Sequence, residues 1–175
     1  MSEPAVFLDR DGTLMEDPGY VGDPALVRVF PGVREALERL RAVGFRLVII
    51  TNQSGIARGM FTAADFEAVQ ARLLEELGEG VIAATYMCPD GPAGESGRRK
   101  PSPAMILEAA RDLDLDLARS WMIGDKDIDV ACGLAAGTRS ILVGSGQGGS
   151  ATGEGAAYRA RDLGDAADFI VGGGR

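Results

Sequence analysis

Short apolar runs alternate with amphipathic segments along this chain, and no other feature narrows its possible folds as much. Residues 5–8, 45–50, 81–87, 121–123 and 140–143 read as strands, each too short for a helix and flanked by turn formers. Between them lie helical patterns. Residues 31–43 carry Val33, Leu37 and Leu40 on one face and stop at Gly44. Residues 62–77 begin at Thr62, a suitable N-cap, and align Phe66, Val69, Leu73 and Leu77 on one stripe. Ser102-Pro103 opens a third helix, because proline suits the first helical position, and residues 127–136 form a fourth. Residues 168–171 read as a last short strand. Strands alternating with helices imply right-handed crossovers. The expected fold is therefore α/β: a Rossmann-like, doubly wound, mainly parallel sheet with helices on both faces. At 175 residues the chain has room for a single domain, 1–175, whose core needs no disulfide support.

Composition removes several chemistries. The chain has no histidine, so a Ser-His-Asp triad, a Cys-His pair, a phosphohistidine and a His-ligated metal are excluded. Any general acid or base must be Asp, Glu, Lys, Tyr or Cys. The two cysteines, Cys88 and Cys132, are too few for a four-thiolate zinc site and read as reduced thiols of a cytoplasmic protein. Eighteen basic against 26 acidic residues give a net charge of −8, which argues against a nucleic-acid partner. No apolar run approaches the length of a membrane span, and the opening Met-Ser-Glu-Pro lacks the pattern of a secretory signal.

In parallel α/β sheets, ligands sit beyond the carboxyl ends of the strands. Here those positions are Asp9, Thr51, Cys88 to Lys100, and Gly124-Asp125. The first run, Val6-Phe7-Leu8-Asp9-Arg10-Asp11-Gly12-Thr13, delivers two carboxylates two residues apart. Such neighbours repel unless a cation or a shared proton intervenes. The run Met122-Ile123-Gly124-Asp125-Lys126-Asp127-Ile128-Asp129 repeats the design. Two such ends in one sheet can converge on Mg²⁺, which prefers oxygen ligands. Thr51-Asn52-Gln53-Ser54-Gly55 places a hydroxyl and backbone donors after a strand, suited to a phosphate oxygen. Arg98-Arg99-Lys100 is the one basic triplet, and it falls in a post-strand loop. Each element alone has a bland reading: an acidic turn, a helix N-terminus decorated by Asp127, an ordinary loop, a solvated surface. Residues 144–155 read as a Gly/Ser-rich mobile loop. It holds a formal G-x-G-x-x-G match at Gly144, Gly146 and Gly149 with no Walker lysine, so no nucleotide site is expected there.

Taken together, Asp, Thr, Lys and Asp at successive strand ends resemble the haloacid dehalogenase-type phosphohydrolase superfamily over residues 5–143. Within it, Phe7-Leu8-Asp9-Arg10-Asp11-Gly12-Thr13, Gly19-Tyr20-Val21, Thr51 to Gly59, Arg99-Lys100-Pro101 and Gly124-Asp125-Lys126 are similar to the heptose-bisphosphate phosphatase family. The resemblance implies hydrolysis of the C7 phosphate of a heptose 1,7-bisphosphate through an aspartyl-phosphate, in nucleotide-activated heptose biosynthesis. Asp9 is then the nucleophile and Asp11 the general acid and base. Thr51 and Lys100 complete the catalytic set. Mg²⁺ is held by the Asp9 side chain, the Asp11 main-chain carbonyl and Asp125, with Asp129 supporting from behind. Asp17, Gly19, Tyr20, Asn52, Gln53, Ser54, Arg99 and Lys126 contact the sugar phosphate substrate, and Arg98 or Arg99 reads its second phosphate.

Superfamily caps are inserted after the first motif or between the second and third. Residues 14–42 and 55–98 are too short to hold one, so the site is expected to be capless, open and monomeric, covered by loops at 17–29 and 88–98. The chain departs from many relatives in one loop. Where they place Cys-x-His and Cys-x-Cys around a structural zinc, it reads Cys88-Pro89-Asp90 and Ser96-Gly97-Arg98, so zinc is expected to be absent. Two other functions compete. One is a histidinol-phosphate or other small phosphate-monoester phosphatase. The other is a phospho-accepting receiver-like module, although receivers carry the acceptor on a middle strand and Asp9 follows the first.

Overall fold

The structure, a computed structural model, describes residues 1–144 and 150–174. Six strands, β1 (Ala5–Leu8), β2 (Arg46–Asn52), β3 (Ala84–Cys88), β4 (Trp121–Gly124), β5 (Arg139–Val143) and β6 (Tyr158–Ala160), form one sheet in the order β3-β2-β1-β4-β5-β6. Every pairing is parallel. The order reverses at β1, which lies between β2 and β4. The carboxyl end of β1 is therefore a switch point where ligands gather.

Side-chain alternation divides the core in two. Val6 and Leu8 of β1, Leu47 and Ile49 of β2, and Trp121 and Ile123 of β4 pack on one face. They meet α1 (Val33–Ala42), α2 (Ala63–Leu77) and α5 (Leu163–Val171). Ala5 and Phe7, Val48 and Ile50, and Met122 pack on the other against α3 (Ala104–Leu113) and α4 (Asp127–Ala136). Each fully buried aliphatic side chain stabilises the fold by about 1.5–3 kcal/mol.

Local signals act largely as expected. The predicted stripes on α1 and α2 are buried. Thr62 caps α2 in a reciprocal box: its hydroxyl accepts from Asp65 N at 3.1 Å, and Asp65 accepts from Thr62 N at 2.7 Å. Pro103 precedes α3 as its N-cap rather than occupying its first turn.

The expected strand at 168–171 is a correction, because those residues end α5. Asp162 caps that helix, and Leu163, Ala166, Ala167 and Ile170 form its buried stripe. A four-residue apolar run does not by itself separate a strand from a helix end. The last strand is instead β6, which pairs with β5. The β3 strand also begins at Ala84, later than expected.

A short 3₁₀ turn (Pro24–Leu26) lies between β1 and α1, and α2 lies between β2 and β3. No cap domain is inserted among the described residues. None of the described helices is long and apolar enough to cross a membrane. Gly146 and Gly149 of the glycine motif lie outside the described residues.

Candidate active site

The parallel register brings the ends of β1, β2 and β4 together. Asp9 follows β1 directly, and its N–H bonds to the Ile123 carbonyl of β4 at 2.9 Å. Asp125 follows β4, and Asp129 lies on the first turn of α4. One carboxylate oxygen from each of these three buried residues falls within 4.8 Å of the others. Two glycines permit this approach. A Cβ on Gly12 would stand 2.4 Å from Asp125 Oδ2, and one on Gly124 would stand 2.3 Å from Asp129 Cγ. Gly12 also has φ +87°, a conformation that few side chains tolerate.

Lys100 arrives from the β3–α3 loop as the counter-ion of this floor. Its ammonium donates to Asp9 Oδ1 and Asp129 Oδ1, both at 2.7 Å, and to the Ile50 carbonyl at 3.0 Å. Burial alone would lower its pKa, but Asp129 and Asp9 outweigh that and raise it. The paired carboxylates therefore favour the charged ammonium. Asn52 fixes its backbone, accepting from Lys100 N at 3.0 Å and donating to Lys100 O at 3.3 Å.

The remaining charge does not balance. Burial and the Asp9 charge push Asp125 up to about 8, and the same two causes push Asp129 up to about 6 despite Lys100. Asp125 Oδ1 is buried without a hydrogen-bond partner. An orphaned oxygen in an all-carboxylate cluster calls for a hard cation, and the cluster is compatible with Mg²⁺. Asp129 differs from the other two. Both its oxygens are engaged, Oδ1 by Lys100 and Oδ2 by the Lys126 N–H at 3.1 Å.

Asp11 is set apart from the floor. Gln53 Nε2 donates to its Oδ2 at 2.7 Å, and the Arg10 Nε lies 3.2 Å from the same oxygen. Burial raises the Asp11 carboxyl above its ordinary range. Arg10 pulls it down without overcoming burial, and the Asp9 charge lifts it further. Arg10 itself is fully buried, with its guanidinium 5.1 Å from the centre of the Phe66 ring.

A cleft of about 290 Å³ opens above these groups. Asp9, Asp11, Asp17, Gly19, Tyr20, Asn52, Gln53, Ser54, Arg99, Lys100, Lys126 and Asp129 line it, so nearly every predicted residue is brought together. Thr51 and Asp125 are not on its wall. Thr51 is fully buried, and its hydroxyl accepts from Gln53 Nε2 at 2.8 Å. Arg98 is also elsewhere: it pairs with Glu108 at 2.9 Å and donates to the Met87 carbonyl at 3.0 Å. On the rim, Lys126 faces Asp17 at 3.7 Å, and Asp17 accepts from Gly19 N at 3.0 Å.

Sequence reasoning gave no contact role to Val21, Gly55 and Ile128, which also line the cleft, although Val21 and Gly55 lie within motifs that carry the family resemblance. It also gave no role to Arg10, whose place between two aspartates was the available signal. Arg58 was another omission. Its exposed guanidinium lies 5.6 Å from the centre of the ring of Tyr20, a cleft residue.

The zinc loop does not fit zinc. It offers one buried thiol at Cys88, no histidine, and an Asp90 carboxylate already bonded to Ser96.

Carboxylates at the ends of adjacent β1 and β4 and on the first turn of α4, with a buried lysine joining Asp9 to Asp129 beneath a capless cleft, define a phosphoric monoester hydrolase of the haloacid dehalogenase superfamily. Residues 97–167 match the HAD-hydrolase-like family. The chain is 43% identical to D-glycero-β-D-manno-heptose-1,7-bisphosphate 7-phosphatase of Yersinia pestis over 89% of this chain and 88% of that protein. It is also 43% identical to the enzyme of the same name from Escherichia coli K12, over 83% and 82%. Its fold matches the crystal structure of D,D-heptose 1,7-bisphosphate phosphatase from B. bronchiseptica, complexed with magnesium and phosphate. That match has a TM-score of 0.87 and 34% identity, covering 97% of this chain and 98% of that one. The chain belongs to the D-glycero-β-D-manno-heptose-1,7-bisphosphate 7-phosphatase family.

Proposed function

We propose that this single-domain enzyme removes the C7 phosphate of D-glycero-D-manno-heptose 1,7-bisphosphate, a step in the synthesis of nucleotide-activated heptose. The observation that carries the substrate is the extent of the likeness: relatives of that name align over about four fifths to nine tenths of both chains. Their names specify the β anomer, which makes it the first substrate to assay.

Asp9 is the nucleophile. Its carboxylate attacks phosphorus, the bond from phosphorus to the sugar oxygen breaks, and an aspartyl-phosphate forms. Asp11, its pKa raised by burial, donates a proton to the departing sugar oxygen. Asp11 then accepts a proton from the water that attacks the phosphoenzyme, and the break from Asp9 releases inorganic phosphate. Arg10 and Gln53 hold the Asp11 carboxyl in place for both transfers.

The Asp9 and Asp125 side chains and the Asp11 carbonyl would hold Mg²⁺, with Asp129 as support. When bound, Mg²⁺ supplies positive charge that offsets the repulsion between the carboxylate nucleophile and the phosphoryl group. Lys100 adds a second positive charge, and Thr51 and the Asn52 N–H bind phosphoryl oxygens. Thr51 accepts from Gln53 Nε2 and keeps its own O–H free to donate to a phosphoryl oxygen. Asp17, Gly19, Tyr20, Ser54, Arg99 and Lys126 surround the sugar and its second phosphate.

The enzyme acts as a cytoplasmic monomer on a small molecule, without a nucleic-acid or membrane partner. Free, buried Cys88 and Cys132 support a reducing compartment, and the charge of −8 disfavours polyanions. Phosphate release from both heptose bisphosphate anomers, with histidinol phosphate as a control, tests the substrate. The reading requires kcat/KM on one heptose bisphosphate to exceed that on histidinol phosphate by at least about 100-fold, or ~2.7 kcal/mol. Comparable values for the two would favour the alternative monoesterase.

A further inference from the structure

Three consecutive cations leave the β3–α3 loop in three directions. Lys100 enters the floor, Arg98 turns to Glu108 and the Met87 carbonyl, and Arg99 lines the cleft. The segment just before them separates these fates. Asp90 Oδ2 accepts from Ser96 N at 2.9 Å and from Ser96 Oγ at 2.5 Å. Ser96 Oγ in turn accepts from Arg98 N at 3.2 Å. These bonds close residues 90–96 into a ring and pin the backbone leading into Arg99. The Asp90 carbonyl meanwhile accepts from Arg99 Nη1 at 3.0 Å. One residue thus closes the loop with its side chain and holds the cleft arginine with its main chain. The two bonds from Ser96 also draw the Asp90 carboxyl below its ordinary range, so it stays an acceptor through neutral pH.

We propose that Asp90 and Ser96 form a metal-free clip that positions Arg99 at the mouth of the cleft. It stands where related enzymes are expected to use zinc, which the residues present here do not fit. Neither residue lines the cleft, so both are positioning residues that act through Arg99. An arginine held in its binding geometry loses less freedom on meeting a phosphate, and the clip therefore lowers KM without altering the chemical step. The inference rests on the reading that Arg99 contacts the substrate, and it assigns the device that aims that contact.

The test uses the full chain with Mg²⁺ in excess. Asp90→Ala, Ser96→Ala, Ser96→Thr, Arg99→Ala and the double variant Asp90→Ala/Arg99→Ala are assayed on heptose 1,7-bisphosphate and on p-nitrophenyl phosphate. Asp90→Ala and Ser96→Ala are expected to raise KM for the bisphosphate about tenfold, with kcat within about threefold. Their KM for p-nitrophenyl phosphate stays within about twofold, and Ser96→Thr restores the parent values. The double variant is no worse than Arg99→Ala alone, because the clip works through that side chain. Amide hydrogen exchange supplies a readout independent of substrate. Protection at Ser96 and Arg98 drops in Asp90→Ala and is unchanged in the parent by the zinc chelator dipicolinate. Additive losses in the double variant, equal losses on both substrates, unaltered exchange or chelator-sensitive protection would each overturn the clip. If the parent does not hydrolyse the heptose bisphosphate but exchange behaves as expected, the substrate reading fails and the clip stands.

Discussion

Two lysines face carboxylates in the same cleft under opposite conditions. Lys100 is 2% exposed and lies 2.7 Å from both Asp9 and Asp129. Lys126 is half exposed and lies 3.7 Å from Asp17. The charges are alike and the surroundings are not. In the floor, water is excluded, so attraction is strong and a missing partner leaves a buried charge uncompensated. At the rim, water screens the pair, and an exposed pair of this kind contributes about 0–1 kcal/mol. On the proposed assignment, chemistry belongs to the buried floor and recognition to the solvated rim, two different dielectric environments within one small cleft.

The largest expected effects break the floor. Asp9→Asn removes the nucleophile but keeps an oxygen that can accept from Lys100. Its kcat is expected to fall by about 10³-fold or more while the circular dichroism spectrum is retained. Activity within tenfold of the parent would remove Asp9 from its assigned role. Lys100→Met leaves Asp9 and Asp129 buried without their cation. Denaturant unfolding is expected to show a loss of about 3–5 kcal/mol, together with loss of turnover. A loss below about 1 kcal/mol would show that the floor is better solvated than its burial implies.

The floor was also the part most legible from sequence. Asp9, Thr51 and Asp125 each follow an apolar run, and parallel topology places the ends of β1, β2 and β4 side by side. Strand-end position carries that information without knowledge of side-chain contacts. The rim and loops were less legible because their roles depend on contacts between distant residues. Nothing local shows which of Arg98 and Arg99 enters the cleft. Glu108 and the Met87 carbonyl settle it by capturing Arg98. The Gln53 amide that covers Thr51 and holds Asp11 is likewise a product of packing. In the fold, the end of the chain was misread because 168–171 is too short to reveal its period. Asp127, read as a dipole-compensating residue, also accepts from Gly153 N at 2.7 Å and anchors the returning segment.

Titration without metal separates floor from rim by a different route. Burial and Asp9 raise Asp125 to about 8 and Asp129 to about 6, so the folded chain holds protons that the unfolded chain releases near its ordinary carboxylate pKa. Their stabilising contribution is complete below about pH 4 and is lost as pH rises through 6 and then 8. For each proton involved, the slope is at most about 1.4 kcal/mol per pH unit. The EDTA-treated protein is therefore expected to melt at a lower temperature at pH 8 than at pH 5. Added Mg²⁺ is expected to raise the melting temperature more at pH 8, where the carboxylates are ionised. A Mg²⁺ shift that shrinks with rising pH would contradict the carboxylate cluster as the binding site.

The smallest effects belong to the rim. Lys126→Ala removes a half-exposed ammonium but keeps the backbone N–H that bonds Asp129, so the floor keeps its support. Stability is expected to change by no more than about 0.5 kcal/mol, as at most exposed positions. KM for the bisphosphate is expected to rise about threefold to tenfold with kcat nearly constant, the pattern of a lost binding contact. Because the contact is screened, the ratio of mutant to parent KM should narrow as salt is raised from about 0.05 to 0.5 M. For Lys100→Met the stability loss should persist at the higher salt, since ions do not reach a buried pair. If Lys126→Ala instead lowered kcat by about 100-fold with little change in KM, its ammonium would be acting on the transition state. The boundary between chemistry and recognition would then have to be redrawn to include it.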